Sequence, residues 1–158
     1  MTDLELQNAL ITEIEGLLER QSLKKPSGEA WRDIIVYRQD KPFKNDEDTE
    51  DQEDYIIVML DDEDVGKDGD GSWEVTVHII ISIMMYEVEH QGNILLANLM
   101  NQLDLHFRKQ GFIGQRFEML REAHKRFNHE CYPNYYECDY ITKWKLPLAQ
   151  IEGIEDLI

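Results

Sequence analysis

The sequence has 158 residues, of which 33 are acidic and 16 are basic, so its net charge is −17 at neutral pH. A chain of this length can bury a core of its own without disulfides or a structural metal. The charge argues against direct binding to nucleic acid, because affinity for phosphate backbones depends on lysine and arginine. No apolar run approaches the roughly 20 residues that span a bilayer, and two cysteines define no disulfide framework. We therefore expect a globular domain that is made in a cytoplasm with reduced thiols.

An amphipathic helix is predicted at the start of the chain. Thr2 and Glu5 have the spacing of a capping box, in which the two side chains satisfy free backbone amides at a helix start. The apolar residues that follow recur at helical spacing and are Leu6, Leu10, Ile14, Leu17 and Leu18. Pro26 and Gly28 end the pattern, since neither residue continues a helix easily. We expect the apolar face of this helix to pack on a core.

Two acidic segments separate short strands in the next part of the chain. After a strand predicted at 34–37, seven of the ten residues at 45–54 are Asp or Glu. Such a segment has little to bury and its like charges repel, so we expect a mobile loop there. An apolar strand is predicted at 55–60, and a second acidic loop at 61–71.

The clearest pattern runs from Trp73 to Tyr86, where apolar and more polar residues alternate. The apolar face carries Trp73, Val75, Val77, Ile79, Ile81, Ile83 and Met85. Period-two alternation indicates a half-buried strand. Ordinary strands run about 3–10 residues, so we expect this one to be bent, bulged or projecting beyond its own domain. A projecting strand would offer unpaired backbone groups to a neighbouring subunit.

A second helix and a closing strand complete the predicted domain. The helix spans about residues 93–109, with an apolar stripe made of Leu96, Leu99, Met100, Leu103 and Phe107. Gly111 is placed to end it in a left-handed cap. The segment Arg116–Phe127 fits either a strand or a short helix, and Tyr135–Leu146 alternates as a strand that Pro147 ends. We expect an acidic, mobile tail at 147–158.

These elements predict a single α+β domain over residues 1–158. Its sheet is mostly antiparallel, contains one long strand and packs against two amphipathic helices. Tyrosine and tryptophan are frequent both at protein contacts and in strands. We predict an oligomer or partner interface on the long strand and the closing strand, formed by Trp73, Val75, Val77, Ile79, Tyr135, Tyr136, Tyr140 and Trp144.

A calcium site is one interpretation of the second acidic segment. Asp64, Asp68 and Asp70 lie on a glycine-bearing stretch. Hard cations such as Ca²⁺ are bound by several carboxylates on a flexible turn of this kind. Counted from Asp64, however, the closing glutamate of an EF-hand loop is replaced by Val75. The pattern therefore favours a solvated turn with loose affinity for Mg²⁺ or Ca²⁺, and we predict no resident cofactor.

Catalytic patterns are weak in this sequence. His124, His129, Cys131 and Cys138 have the residue types of a zinc site but lack its paired short spacing, and nothing in the sequence activates Cys131 as a nucleophile. His78 lies on the less apolar face of the long strand, where a structural role is favoured. No phosphate-binding glycine loop or serine-nucleophile elbow is present. We therefore predict a protein that is not an enzyme.

The order of elements resembles the tail-terminator and neck proteins of long-tailed bacteriophages and prophages. The features that carry the resemblance are the first helix, the long strand Val75–Met85, the turn at Gly92, the helix Asn93–Lys109 and the strand that closes at Trp144. The acidic segments at 45–54 and 61–71 and the tail after Pro147 have no counterpart in it.

The resemblance implies a structural role in the tail or neck of a virion. Such proteins form a ring, typically of six subunits, that caps the finished tail tube, contacts the tail-tube protein and presents a surface to a head-completion or neck protein. Acidic loops facing the channel of such a ring would repel passing DNA.

Three alternatives stay open from the sequence. One is another neck or head–tail adaptor protein. A second is an acidic inhibitor or immunity-type protein that masks a basic partner by charge complementarity. Tight, strongly salt-dependent binding of a monomer to one basic protein would favour it. The third is a hydrolase that uses carboxylates and a divalent metal, which metal-dependent activity would reveal.

Overall fold

The protein is described by a computed structural model, in which two helices and seven strands occupy the described part of the chain. The described residues are 2–19, 34–40, 54–66, 73–84, 92–114, 116–128 and 135–146. The elements in chain order are α1 (Asp3–Glu19), β1 (Ile35–Arg38), β2 (Tyr55–Val65), β3 (Trp73–Met84), α2 (Gly92–Gln110), β4 (Phe112–Ile113), β5 (Phe117–Met119), β6 (His124–Asn128) and β7 (Tyr135–Leu146). Most residues of the first acidic segment, at 45–54, and all of the tail at 147–158 lie outside these ranges.

The sheet has the order β1-β2-β3-β7-β5-β4, and β6 pairs with the same side of β7 as β5 does. The pair β1–β2 is parallel, and the other pairs are antiparallel. Both helices pack on one face of this sheet. The α+β prediction, with a mostly antiparallel sheet and two amphipathic helices, is confirmed.

The core lies between the inner face of the sheet and the two helices. Both predicted helical stripes are buried, from Leu6 to Leu18 in α1 and from Leu96 to Phe107 in α2. Among the largest buried side chains, the ring of Phe107 contacts the rings of both Tyr140 and Trp144. Burial of apolar side chains on this scale is the main stabilising force of the domain.

The ends of the helices follow their local sequence. Thr2 Oγ1 accepts a hydrogen bond from the Glu5 backbone N–H at 3.2 Å, which is one half of the predicted capping box. Gly111 has a φ of 71° and donates its N–H to Phe107 O at 2.8 Å, as the predicted left-handed cap requires. Gly92 begins α2 against the Tyr136 ring, and a β-carbon at this position would overlap that ring.

The described part of the long strand, β3, does not project from the domain, which corrects that one of the three alternatives. Met85 and Tyr86, the end of the predicted strand, lie outside the described ranges. The strand β3 pairs with β7 along its whole length and with β2 from Trp73 to Ser82, so neighbours within the chain satisfy both of its edges over that stretch. The irregularity lies instead in the partner strand, where a bulge falls between Leu60 and Glu63 of β2.

The second acidic loop is also corrected, since Asp61–Val65 continues β2 and pairs with the start of β3. The strand forms there because Trp73 and Val75 present a paired edge, although the residues of β2 beyond Leu60 are exposed and mostly charged. Residues 67–71 of the predicted loop lie outside the described ranges. In the segment Arg116–Phe127, the strand alternative holds, with β5 and β6 each pairing with β7.

A polar network fastens α1 to the strands beneath it. The buried side chain of Gln7 donates to Val58 O at 2.8 Å and accepts from Arg38 Nε at 2.9 Å. Gln7 also donates to the side-chain oxygen of Gln39 at 3.0 Å. Because buried amide groups are costly when unpaired, this network fixes where α1 crosses β1 and β2.

Candidate functional site

The face of the sheet opposite the helices, called the outer face here, carries the candidate site. Alternate residues of a strand point to opposite faces, so the strand residues between the buried positions of β2, β3 and β7 lie on this side. The central ones are half-buried and comprise Tyr55, Ile57, Met59, Thr76, His78, Ile80, Glu137, Asp139 and Ile141. The outer face therefore combines apolar side chains with a small group of titratable ones.

His78 is held between two carboxylates from the strands on either side of it. Its Nδ1 lies 2.7 Å from Asp139 Oδ2 on β7, and its Nε2 lies 2.8 Å from Asp61 Oδ2 on β2. Asp61 reaches the ring because it lies two residues after Met59, the residue directly opposite His78. The arrangement, called the His78 clasp below, links three neighbouring strands across the outer face.

The distances indicate that His78 carries a proton on each ring nitrogen. Burial alone would lower the pKa of His78, but hydrogen bonds and charge from Asp139 and then Asp61 outweigh it and raise the pKa above the ordinary value of 6.5. The imidazolium then donates to both carboxylates, and such charge-assisted hydrogen bonds are stronger than neutral ones.

The carboxylates of β7 extend the charged group along the strand. Burial, and then the charge of Asp139, raise the pKa of Glu137 above its ordinary value of 4.5. Asp139 Oδ1 is buried and has no hydrogen-bond partner among the described residues. Arg126 lies opposite Asp139 across the β6–β7 pair.

The geometry does not present His78 as a general base. A general base needs a nitrogen free to take a proton from a substrate, and carboxylates occupy both nitrogens of this ring. Within the described ranges, no group of three or more His, Cys, Asp or Glu side chains is arranged to hold a metal ion. The arrangement joins β2, β3 and β7 through charge-assisted hydrogen bonds, and both bonds form only while His78 carries its second proton.

Cys138 lies on the other side of the sheet and is buried in the core. Burial, and then the charges of Asp139 and Glu137, raise its pKa to about 12, so the nucleophilic thiolate is scarce near neutral pH. His124 is exposed and lies opposite Ile141 rather than Cys138. His129 and Cys131, the other members of that candidate zinc cluster, lie outside the described residues.

The predicted interface residues separate into two groups. Five of them are fully buried in the chain's own core, which corrects the prediction for their side chains: Val75, Val77, Ile79, Tyr140 and Trp144. They are buried because their strand face is the one that the helices cover. Trp73, Tyr135 and Tyr136 are half-buried, and of these Tyr135 shares the outer face.

The candidate cation residues are not brought together by the described structure. Asp64 is an exposed strand residue of β2, directly opposite Glu74. Asp68 and Asp70 lie outside the described ranges. The loose affinity for Mg²⁺ or Ca²⁺ stays a prediction.

Asp61 and Asp139 are the site residues that the sequence reasoning did not single out. The sequence predicts a loop at Asp61, and Asp139 lies 61 positions from His78 in the chain. The available signal was the alternation itself, which places His78 and Asp139 on the less apolar faces of two strands. Their pairing requires the register between β3 and β7, which no local pattern encodes.

Comparison with known proteins leaves the family open. The sequence matches no protein-family model, and no curated protein matches it significantly. Among the described helices, neither is both long and apolar enough to cross a membrane.

Proposed function

We propose that this chain is a non-enzymatic structural protein of a long-tailed phage or prophage, which forms a ring on the end of the tail tube. The observation that carries the proposal is the outer face of the sheet. Its half-buried Ile57, Met59, Ile80 and Ile141 face away from both helices. Adjacent apolar side chains on a sheet face that no helix covers are the kind of patch through which subunits make contact.

The order of elements supports the same proposal. A first helix, a long alternating strand, a Leu-rich helix and a Tyr/Trp-rich closing strand are the features on which the resemblance to tail-terminator proteins rests. The two ring nitrogens of His78 both lie against carboxylates, so the most enclosed histidine of the outer face has a role in joining strands.

The proposed mechanism is steric and associative. Heterologous contacts between copies close into a ring when the rotation between neighbours divides a full turn. The ring, of six subunits in our proposal, docks on the last ring of tube subunits, blocks further addition and offers its other side to a head-completion protein. A chain of net charge −17 would repel DNA that passes through the ring.

The proposal requires a tail-tube protein as the partner, and it is tested by polymerising that protein with and without added chain. We expect added chain to shorten the tubes and to bind at one tube end, as seen by negative-stain electron microscopy. Tubes of unchanged length with bare ends would contradict the terminator role.

A second candidate function rests on the acidic end of the β2–β3 hairpin. Four consecutive exposed carboxylates, at 61–64, form a ready surface for a basic protein. In this alternative the chain is an acidic inhibitor that masks its partner. Tight binding of a monomer to one basic protein, weakened steeply by salt, would favour it over the ring.

A further inference from the structure

We propose that His78 is a pH-sensitive clasp, which holds the acidic end of the β2–β3 hairpin against the sheet while both ring nitrogens carry protons. The segment it holds is Asp61–Val65, the part of β2 that follows Leu60 and contains the bulge. The clasp is a property of a single chain, so it goes beyond the proposed tail function and does not depend on it.

The segment Asp61–Val65 gains little from burial and carries strong like-charge repulsion. All five of its residues are exposed, and the first four are carboxylates. Asp64 lies directly opposite Glu74, and like charges in that position destabilise an antiparallel pair. Specific polar contacts must therefore hold this end of the hairpin, in place of the hydrophobic contacts that hold residues 55–60.

Two side chains of β3 make such contacts. Trp73 Nε1 donates to Glu63 Oε1 at 3.0 Å, and His78 Nε2 lies 2.8 Å from Asp61 Oδ2. The indole N–H is a permanent donor. Donation by His78 Nε2 instead requires a proton there, in addition to the proton on Nδ1 that faces Asp139.

Loss of one proton breaks the clasp on the Asp61 side. A neutral imidazole has a single N–H, so one ring nitrogen must turn a lone pair toward a carboxylate oxygen. The Asp139 side chain is 27% exposed and that of Asp61 is 47% exposed. Water can therefore replace the ring at Asp61 more easily, and the remaining N–H stays with Asp139. Asp61 is then repelled, and the acidic end of the hairpin frays.

The charges around the clasp set the pH at which it opens. Asp61 of β2 and Asp139 of β7 contact the ring itself. The other charged or titratable groups that share this face on the neighbouring strands are Tyr55 and Asp64 of β2, Glu74 of β3, Tyr135, Glu137, Lys143 and Lys145 of β7, and His124 and Arg126 of β6.

The sign of the pH dependence follows from the balance of these groups. Burial would lower the pKa of His78, but Asp139 and Asp61 raise it above 6.5. The stability that the clasp contributes is therefore fully present below pH 6.5 and is lost as the pH rises through the raised pKa of the folded state.

A pH titration of the intact chain by NMR, from about pH 5 to about pH 10, tests the clasp. We expect the His78 ring resonance to titrate with a pKa above 6.5. Through the same midpoint, the protection factors of the amides of residues 61–65, corrected for the intrinsic pH dependence of exchange, should fall about tenfold or more. A His78 pKa at or below 6.5, or amides that keep their protection through that midpoint, would overturn the proposal.

Matched variants separate the clasp from general instability. Asp61→Asn removes one charge at nearly constant size, so it should lower the His78 pKa and remove the link between that titration and the hairpin amides. Glu15→Gln also removes one carboxylate charge at nearly constant size, but from an exposed position of α1 on the other side of the sheet, so it should change neither. His78→Gln should leave the hairpin end open at every pH. If His78→Gln does not fold, Asp61→Asn still tests the proposal, because an unchanged His78 pKa in the Asp61→Asn variant would contradict the clasp.

Discussion

The side-chain amide of Gln39 forms two hydrogen bonds with the backbone of Leu60. Leu60 N donates to Gln39 Oε1 at 2.9 Å, and Gln39 Nε2 donates to Leu60 O at 3.1 Å. Gln39 follows the last residue of β1 and has a φ of 68°, which turns its backbone out of the strand direction. Its side chain thus replaces a backbone peptide group at the end of β1 and completes the pairing of β2 at the residue where the bulge begins.

This pairing predicts a measurable loss of stability when the Gln39 amide is removed. Gln39→Ala leaves two backbone groups of Leu60 and one donor of Gln7 without their partner, and it should lower the free energy of unfolding by about 1–3 kcal/mol. Gln39→Gly loses the same amide but adopts a positive φ without cost, so it should be about 1 kcal/mol more stable than the alanine variant. Urea unfolding of the three proteins measures both differences. Equal stabilities of the alanine variant and the original chain would contradict this role.

Gly92 is predicted to be intolerant of any side chain. A β-carbon there would overlap the Tyr136 ring, so Gly92→Ala must displace that ring or the start of α2. We expect a loss of about 1–3 kcal/mol, as for other overpacked sites. The matched control is Gly16→Ala in α1, where no atom outside the adjoining residues and backbone of the helix lies within 4 Å of the added carbon. It should stabilise the chain by about 0.5–1 kcal/mol, because alanine favours helix. Thermal unfolding of both variants measures whether Gly92→Ala lowers the stability and Gly16→Ala raises it.

Asp104 and Tyr140 predict a pH-dependent contribution to stability. Burial would raise the pKa of Asp104, but hydrogen bonds from Tyr140 and Arg108, with the charges of Arg108 and Lys125, lower it below 3.8. The ionised carboxylate therefore stabilises the fold above pH 3.8, and this stability is lost as the pH falls through the lowered pKa. Tyr140→Phe should lower the free energy of unfolding by about 1–2 kcal/mol near neutral pH. The gap in stability between this variant and the original chain should narrow in acid. A gap that is independent of pH, measured by urea unfolding, would contradict the assignment.

Local periodicity predicted the helices and the two longest strands because each buries one face. The stripe Leu6–Leu18 and the alternation Val75–Ile83 are direct consequences of packing on a single core. The same patterns could not show that β3 lies in the interior of the sheet, because the strand order depends on contacts between distant segments. They also failed at Asp61–Val65, where the partner strand imposes the extended conformation on charged residues.

The candidate site was less predictable than the fold. His78 was visible as a polar residue on a strand face, but the interface prediction on Val75, Val77 and Ile79 assumed that the apolar face would contact a partner. The helices cover that face instead, and the half-buried residues of the outer face alternate with the predicted ones. Successive residues of a strand point to opposite faces, so a shift of one position decides whether a residue faces the core or the outer face.

The outer face predicts a variant that dissociates the proposed ring without unfolding the chain. Ile57→Lys places a charge among the half-buried residues of β2 on this face, and burying that charge at a contact between subunits would be costly. The matched control is Ile94→Lys on α2, at a position that is 60% exposed. We expect the first variant to lower the native mass and the control to leave it unchanged, with circular dichroism spectra unaltered in both. Dissociation by the control alone would move the interface to α2.

Native mass by light scattering, across protein concentration and with and without Mg²⁺, tests the proposed ring most directly. The ring predicts one discrete species at six times the 18.7 kDa of a single chain, reached at high concentration or on addition of Mg²⁺, which screens the acidic subunits from one another. A single-chain mass under every condition would contradict it and favour the acidic inhibitor.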